Sequence, residues 1–423
     1  MTATNTTSPW TFDEHSNGAL SGIKVLDLSR VLAGPYCAQM MGDHGASIIK
    51  VESPMGDETR QWGTLSPDGS SSYYYGLNRN KQNIELDLTT GYGQDVLRKL
   101  LEEADVVVEN FKIGTMARWG FDYDSVLASA RPELVYCRIS GFGADGVMGG
   151  MPGYDAVLQA YGGLMSINGY PDRGPLRVGV PIVDIVAANL AFSGILLALH
   201  DRHRTGLGQF VDISLLDSVS SLLVPHSGNW AMTGTDPART GAAHPSVAPY
   251  QTFDTPSGEF FIGTGNDRQF RSLMTVLGRP EIADDTRFSS NPLRVANVAE
   301  LSELIAGAVA DRDLDELSRQ LNSAGVPASP VKTIGEALTD EQTLHRNLFI
   351  DDGDYRGVGV PIKLSRSMSQ KPVPPARKGA HTAQILSRLG LPSAADEDSY
   401  REHLHARPPV TAVEAPHRKP TNV

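Results

Sequence analysis

Thiols are scarce in this sequence: 423 residues carry two cysteines, Cys37 and Cys137. Two cannot build the disulfide framework of a small secreted domain. The polar start MTATNTTSPWTFDEHSNG lacks the basic and apolar regions of a secretory leader, so a cytoplasmic protein is expected. Runs of Lys or Arg are also missing, and the formal net charge is −12. A nucleic-acid partner, which needs a basic footprint on phosphates, is therefore not expected. The apolar run GVPIVDIVAANLAFSGILLAL, residues 179–199, has the length of a membrane span but is interrupted by Pro181, Asp184, Asn189, Ser193 and Gly194. It reads as a buried helix, and no membrane partner is expected.

Several enzyme signatures are absent too. The segment SRVLAGPYCAQMMGDHG, residues 29–45, carries neither G-x-G-x-x-G nor G-x-x-x-x-G-K-S/T, so the phosphate cradles of dinucleotide and P-loop proteins have no support. There is no G-x-S-x-G elbow, which argues against a serine hydrolase of the common kind. H-E-x-x-H is missing, and the histidine pair of HDRH, His200 and His203, flanks a basic helix end; no metal site is expected. Cys37 reads as a small buried helix residue rather than a reactive thiolate.

What is present is an alternation of strand-like and helical runs. IKVLDLS (23–29), SIIKVE (47–52), NIELDL (83–88), DVVVENF (105–111) and ELVYCRIS (133–140) are rich in Val, Ile and Leu and leave room for crossover helices. The pattern predicts an α/β fold with a mostly parallel sheet. Pro35 fits a first helical turn, and TTGYGQDVLRKLLEEA begins with a capping Thr and sets Leu97, Leu100 and Leu101 on one face. The 179–199 run continues as a helix to a stop at Gly206, and GQFVDISLLDSVSSLLV reads as a strand followed by a helix. YQTFDTPSGEFFIGTG reads as a hairpin, with helices at VAELSELIAGAVA and LDELSRQLNSAG after it. The expected boundaries are a flexible N-terminus (1–19), a large domain (20–225), a linker and active-site loop (226–248), a smaller α+β domain (249–340), a return to the large domain with a strand at 357–365 and a short helix (341–404), and a disordered tail (405–423).

Carboxylates are the remaining candidates for chemistry. Asp184 follows Pro181 at the start of the apolar helix. There it reads either as an N-cap or as a partly desolvated carboxylate, steadied by free N–H groups and able to attack an activated acyl carbon. Asp155, after Pro152 and Gly153, repeats the Gly/Pro-to-helix setting. The two could share a pocket.

Seven segments, in order and compatibly spaced, resemble the family III CoA-transferases, the group of formyl-CoA transferase and the carnitine CoA-transferases. They are GIKVLDLSRVLAGPYCAQMMGDHGASIIKVE, GDETR, NRNKQNIELDL, ADVVVENFKIGTMARWGFDY, GYDAVLQAYGGLM, GVPIVDIVAANLAFSGILLAL and RTGLGQFVDISLLDS. The resemblance implies a Rossmann-like large domain built from both chain ends and an interlocked homodimer. It further implies transfer of CoA from an acyl-CoA to a small carboxylic acid through an aspartyl anhydride and an aspartyl-CoA thioester. Asp184 stands at the position of the nucleophile, Val31, Leu32, Ala33, Leu86, Asn110, Phe111 and Arg118 at CoA contacts, and Asp155 is counted with the CoA site. CoA is then a substrate, and no permanently bound cofactor is expected.

The sequence departs from formyl-CoA transferase at Ser53 and Thr89, where that enzyme is basic, which leaves Arg60, Arg79 or Lys81 as replacements. The loop RTGAAHPS, 239–246, is poorer in glycine than its counterpart, and Arg177, Arg239 and His244 are candidates for a second substrate carboxylate. The same superfamily contains α-methylacyl-CoA racemases, which keep the Asp but carry a His where this chain has Tyr154. A phenol, with a reference pKa of about 10, is a poor base near neutrality, so transfer is favoured over racemisation.

Overall fold

The computed structural model describes residues 8–10, 18–65 and 70–392. Most of the expected flexible N-terminus (1–19) and all of the expected tail (405–423) lie outside the described residues. The chain divides into two compact units, one made of Met1–Gly162, Val180–Leu222 and Arg346–Val423, the other of Gly163–Gly179 and Leu223–His345.

The first unit is α/β. The six strands of its main sheet are β1 (Lys24–Asp27), β2 (Ser47–Glu52), β3 (Gln82–Glu85), β4 (Val106–Glu109), β5 (Val135–Ser140) and β6 (Phe210–Ser214). All neighbours pair in parallel, in the order β3-β2-β1-β4-β5-β6. This is the doubly wound order of the Rossmann fold, whose direction of winding reverses between β1 and β4. Every residue of β2 and of β4 is buried, as a parallel sheet covered on both faces requires.

The first helix, α1 (Ala33–Asp43), leaves β1 through a tight turn. A side chain at Gly34 would collide with Ser29 Oγ, so glycine is what lets the helix start so close to the strand. In α2 (Gly91–Leu101), the Thr90 hydroxyl caps the helix by accepting from Gly93 N–H, while Leu97, Leu100 and Leu101 join Ile49, Ile84 and Val107 in the core. Three further helices position the site: α3 (Asp155–Tyr161), α4 (Ile182–Thr205) and α5 (Leu215–Leu222). The apolar run forms the helix expected, but α4 buries only one face, which carries Val183, Ala187, Ala191 and Ile195: it packs against α1, β5 and β6 and ends on Gly206, with φ +75° and its N–H on Arg202 O.

The second unit holds the expected hairpin, β7 (Tyr250–Thr255) and β8 (Gly258–Gly263), antiparallel, with β9 (Ala328–Pro330) on the other edge of β8. Phe253, Phe260 and Ile262 pack there against Phe270 and Leu273 of helix Asp267–Val276, Leu301 of Val298–Val309 and Leu317 of Leu314–Ser323.

Three local expectations change. Residues 163–179 group with the second unit, not with the large domain. Part of the presumed linker, His226–Thr233, is a helix closed by Gly234 at φ +67°. Of the presumed strand 357–365 only Gly357 and Val358 pair, as part of Arg356–Val358 against Phe349–Asp351; Pro361, which has no N–H to give a ladder, follows three residues on.

Candidate active site

Where the winding reverses, the carboxyl ends of β1 and β4 part and open a crevice, the usual ligand position in such sheets. A cavity of about 200 Å³ lies there. Its walls are residues 30–33 after β1, 110–113 after β4 and 139–141 at the end of β5, with Tyr154 and Asp184 closing it.

Asp184 occupies the first turn of α4 and is partly buried. It is not an N-cap, a position held by Pro181 without any side-chain bond. Nor do the free N–H groups of the helix steady its anion. The buried Asp155, the first residue of α3, reaches across and takes them: its Oδ1 accepts from Val183 N–H at 2.8 Å and from Asp184 N–H at 3.4 Å. Gln159 Nε2 fixes the other oxygen at 2.7 Å. Among the described residues the Asp184 carboxylate receives no hydrogen bond and no cation. Burial first, and then the charge of Asp155, push its pKa up to about 7. Such a carboxylate is about half ionised at neutral pH and more basic than an exposed one.

Tyr73 lies in the field of the same pair. Burial, Asp184 and Asp155 raise its phenol to about 12, so it stays a hydrogen-bond donor near them. Its ring meets Trp62 edge-on at 5.4 Å.

The wall after β1 is held from two sides. The Asn110 amide clamps one residue, accepting from Arg30 N–H at 2.8 Å and donating to Arg30 O at 2.7 Å. Next in sequence, Val31 sits at φ +70°. A β-branched residue in that region is strained by about 1–3 kcal/mol and persists only where its surroundings over-determine it. On the β4 side, buried Glu109 accepts from Phe111 N–H at 2.7 Å and from the Tyr136 hydroxyl at 3.2 Å; burial raises this carboxyl too, to about 7.

Beneath the β1 turn lies a buried set of ions. Lys50 donates to Ser29 O at 2.8 Å and stands 3.3 Å from Asp57. Lys81 bridges Asp27 at 2.9 Å and Pro35 O at 2.7 Å. Burial would raise the Glu52 carboxyl, but bonds from Arg60 at 2.7 and 2.8 Å and the charge of Lys50 bring it down to about 2.

The structure thus gathers Val31, Leu32, Ala33, Asn110, Phe111 and Asp184 around one cavity, with Asp155 directly behind Asp184. It does not bring Leu86 or Arg118 there. Leu86 is 4% exposed among Ile84, Leu88 and Val96, and Arg118 is exposed and donates to Thr115 Oγ1. The cations suggested as replacements for missing phosphate contacts are committed inside: Arg60 to Glu52, Arg79 to Asp43 and Lys81 to Asp27. Arg239 donates to the carbonyls of Tyr170, Ser166 and Arg173, and Arg177 to those of Val178 and Gly179, all within the second unit. His244 there accepts from Ser246 N–H at 3.0 Å.

Two cations that sequence reasoning passed over do line the cavity, Arg30 and Lys112. Arg30 meets Glu58 only at 3.5 Å with both side chains about half exposed, and Lys112 has no ion-pair partner among the described residues. Their positions just past β1 and β4 are the signal that finds them.

A doubly wound sheet with a raised carboxylate and two available cations at its switch point defines an α/β enzyme for an anionic ligand with an electrophilic centre. Residues 20–382 match CoA-transferase family III, and the chain belongs to that family. It is 41% identical over 382 residues to the succinate–glutarate CoA-transferase of Agrobacterium fabrum, covering 88% of this chain and 95% of that one. It is 37% identical over 350 residues to the acetyl-CoA:oxalate CoA-transferase of Acetobacter aceti, covering 82% and 90%. Among solved structures, a CAIB/BAIF family protein from Brucella suis superposes with a TM-score of 0.82 at 40% identity, over 88% of this chain and 100% of that one. The protein is a CoA-transferase, moving CoA between acyl-CoA thioesters and carboxylic acids.

Proposed function

We propose that Asp184 is the nucleophile and that the acids exchanged are short dicarboxylates. The observation that carries this is the Asp184 carboxylate itself: in the cavity, without a hydrogen bond or cation among the described residues, and raised to about 7 beside Asp155. An oxygen of Asp184 attacks the thioester carbon of the donor, the C–S bond breaks, and CoA thiolate leaves a mixed anhydride. The thiolate then attacks the aspartyl carbon, frees the donor acid and leaves an aspartyl-CoA thioester. The acceptor carboxylate reverses both steps and restores Asp184. No proton is gained or lost, so the cycle needs no general base, and Tyr154 at the cavity rim is no obstacle.

Each attack places charge on an oxyanion that requires fixed donors. The start of α1, at the cavity wall, has neither a side-chain cap nor an acid in its first turn, which suits it to negative charge. Arg30 and Lys112 are the cations available to CoA phosphates or to a second carboxylate. The names of the two relatives, with succinate, glutarate and oxalate, support a dicarboxylate class. A homodimer belongs to the same proposal: α4 leaves Leu197 71% exposed and Leu190 36% exposed, surface that a second copy would cover.

The test is to incubate the protein in deuterated water with a panel of acyl-CoA donors and free mono- and dicarboxylic acids, following new thioesters and α-carbon deuterium by mass. New dicarboxyl-CoA species without deuterium are expected. Deuterium uptake without exchange would make it a racemase and remove Asp184 as nucleophile; exchange confined to monocarboxylates would refute the dicarboxylate class.

A further inference from the structure

The motif GDETR, residues 56–60, has no part in the chemistry above, yet it reaches the cavity through Val31. Asp57 is 2% exposed and its carboxylate accepts the Val31 N–H in a forked bond of 3.3 and 3.4 Å. Four ties orient Asp57 for this. Thr59 gives it an N–H at 3.0 Å and a hydroxyl at 2.7 Å, Glu52 accepts its backbone N–H at 2.9 Å, and Lys50 faces it at 3.3 Å with no exposed side-chain area. Lys50 also donates to Ser29 O, two residues before Val31. Burying a carboxylate without a partner is costly, and Lys50 supplies the opposite charge at 3.3 Å. Val31 is the β-branched residue at φ +70°, and Leu32 and Ala33 follow it into the cavity wall and the first turn of α1.

We infer that Asp57, carried on Lys50, is a positioning residue for the CoA site: it holds Val31 in its left-handed conformation and so sets the wall formed by Leu32 and Ala33. Asn110 fixes the residue before, and Asp57 fixes the turn itself. The inference rests on the cavity being the CoA site.

A double-mutant cycle of Asp57→Asn and Val31→Gly tests it, because glycine takes positive φ without strain and needs no enforcement. Calorimetry gives the dissociation constant of CoA, steady-state kinetics give KM and kcat for an acyl-CoA donor, and thermal melts report folding. In the Val31 background, Asp57→Asn is expected to weaken CoA binding about tenfold, KM rising alike and kcat changing less than about threefold, as release of a strained turn implies. In the Val31→Gly background the same substitution is expected to weaken binding about twofold or less. A lower melting temperature with CoA binding unchanged, or an equal loss in both backgrounds, overturns the role. Should Asp57→Asn not fold, Thr59→Val, which removes only the hydroxyl that orients Asp57, replaces it. That variant is expected to weaken binding about threefold in the Val31 background and not in the Val31→Gly background, with the same results overturning the role. Wild-type protein that binds no CoA refutes the CoA site itself and this role with it; binding without the coupling refutes this role alone.

Discussion

Two groups of buried carboxylates in the first unit are treated in opposite ways. Asp27, Asp57 and Glu52 lie under the β1 turn facing Lys50, Lys81 and Arg60, and their oxygens go to backbone and cations. Asp184 and Asp155, at the start of α4, face no cation among the described residues. Burial works to raise both Glu52 and Asp184. In Glu52 the bonds from Arg60 and the charge of Lys50 overcome it and bring the group to about 2; in Asp184 the neighbour is another carboxylate, and the group rises to about 7. The difference between scaffold and chemistry here is the counter-ion, not the residue type.

The comparison breaks most visibly at Asp184. Replacing it by Asn is expected to lower transfer by about 10⁴-fold or more, as loss of a covalent nucleophile does, while CoA binding stays near wild type. Activity that persists above that level in Asp184→Asn would move the nucleophile elsewhere. The scaffold group should fail differently. Lys50→Met leaves Asp57 with an uncompensated buried charge, while Asp27 keeps Lys81, and is expected to cost about 3–5 kcal/mol of stability in urea unfolding. A loss under about 1 kcal/mol would show that these charges are not held by their pairing.

The reactive group also makes a prediction about stability with a definite sign. Folding raises the Asp184 pKa from 3.8 to about 7, so between these values the folded state binds the extra proton and stability falls as pH rises. Asp184→Asn removes that liability. It is expected to be more stable than wild type by about 1–3 kcal/mol at pH 8 and equal to it near pH 4. Equal stability at both pH values would mean that the carboxylate is not destabilised by folding.

Much of this is legible in the sequence, and the illegible part has a common cause. Strand β4, VVVE, announces itself because burial on both faces leaves a continuous apolar run, and the helix α4 does so by its length and apolarity, although only one of its faces is buried. The place of Asp184 in a first helical turn follows from Pro181. That its N–H donors belong to Asp155 does not, because the two lie 29 residues apart in sequence. In SIIKVE nothing local says where Lys50 and Glu52 find partners, yet all six residues are buried; their partners come from 27, 57 and 60, which only the closed sheet brings together. Arg118 and Leu86 fell near the right loops without reaching the cavity. Arg30 and Lys112 become visible once the strand order locates the switch point. Local pattern reports elements and their ends; charge compensation is a long-range property.

The smallest effect separates the two carboxylates of the reactive pair. Asp155→Asn keeps an oxygen to accept the Val183 N–H, now 2.8 Å away, so the helix start is retained and only the charge is lost. If that charge helps to hold Asp184 up, its removal lets Asp184 ionise at lower pH. The acid limb of the profile of kcat/KM against pH, which reports the free enzyme, is then expected to move from near 7 downwards by about one unit. The rate at pH 6 should fall less from its plateau than in wild type. A limb that does not move would leave burial, the larger of the two causes, as the whole reason for the raised carboxyl, and Asp155 as a cap for α4 and no more.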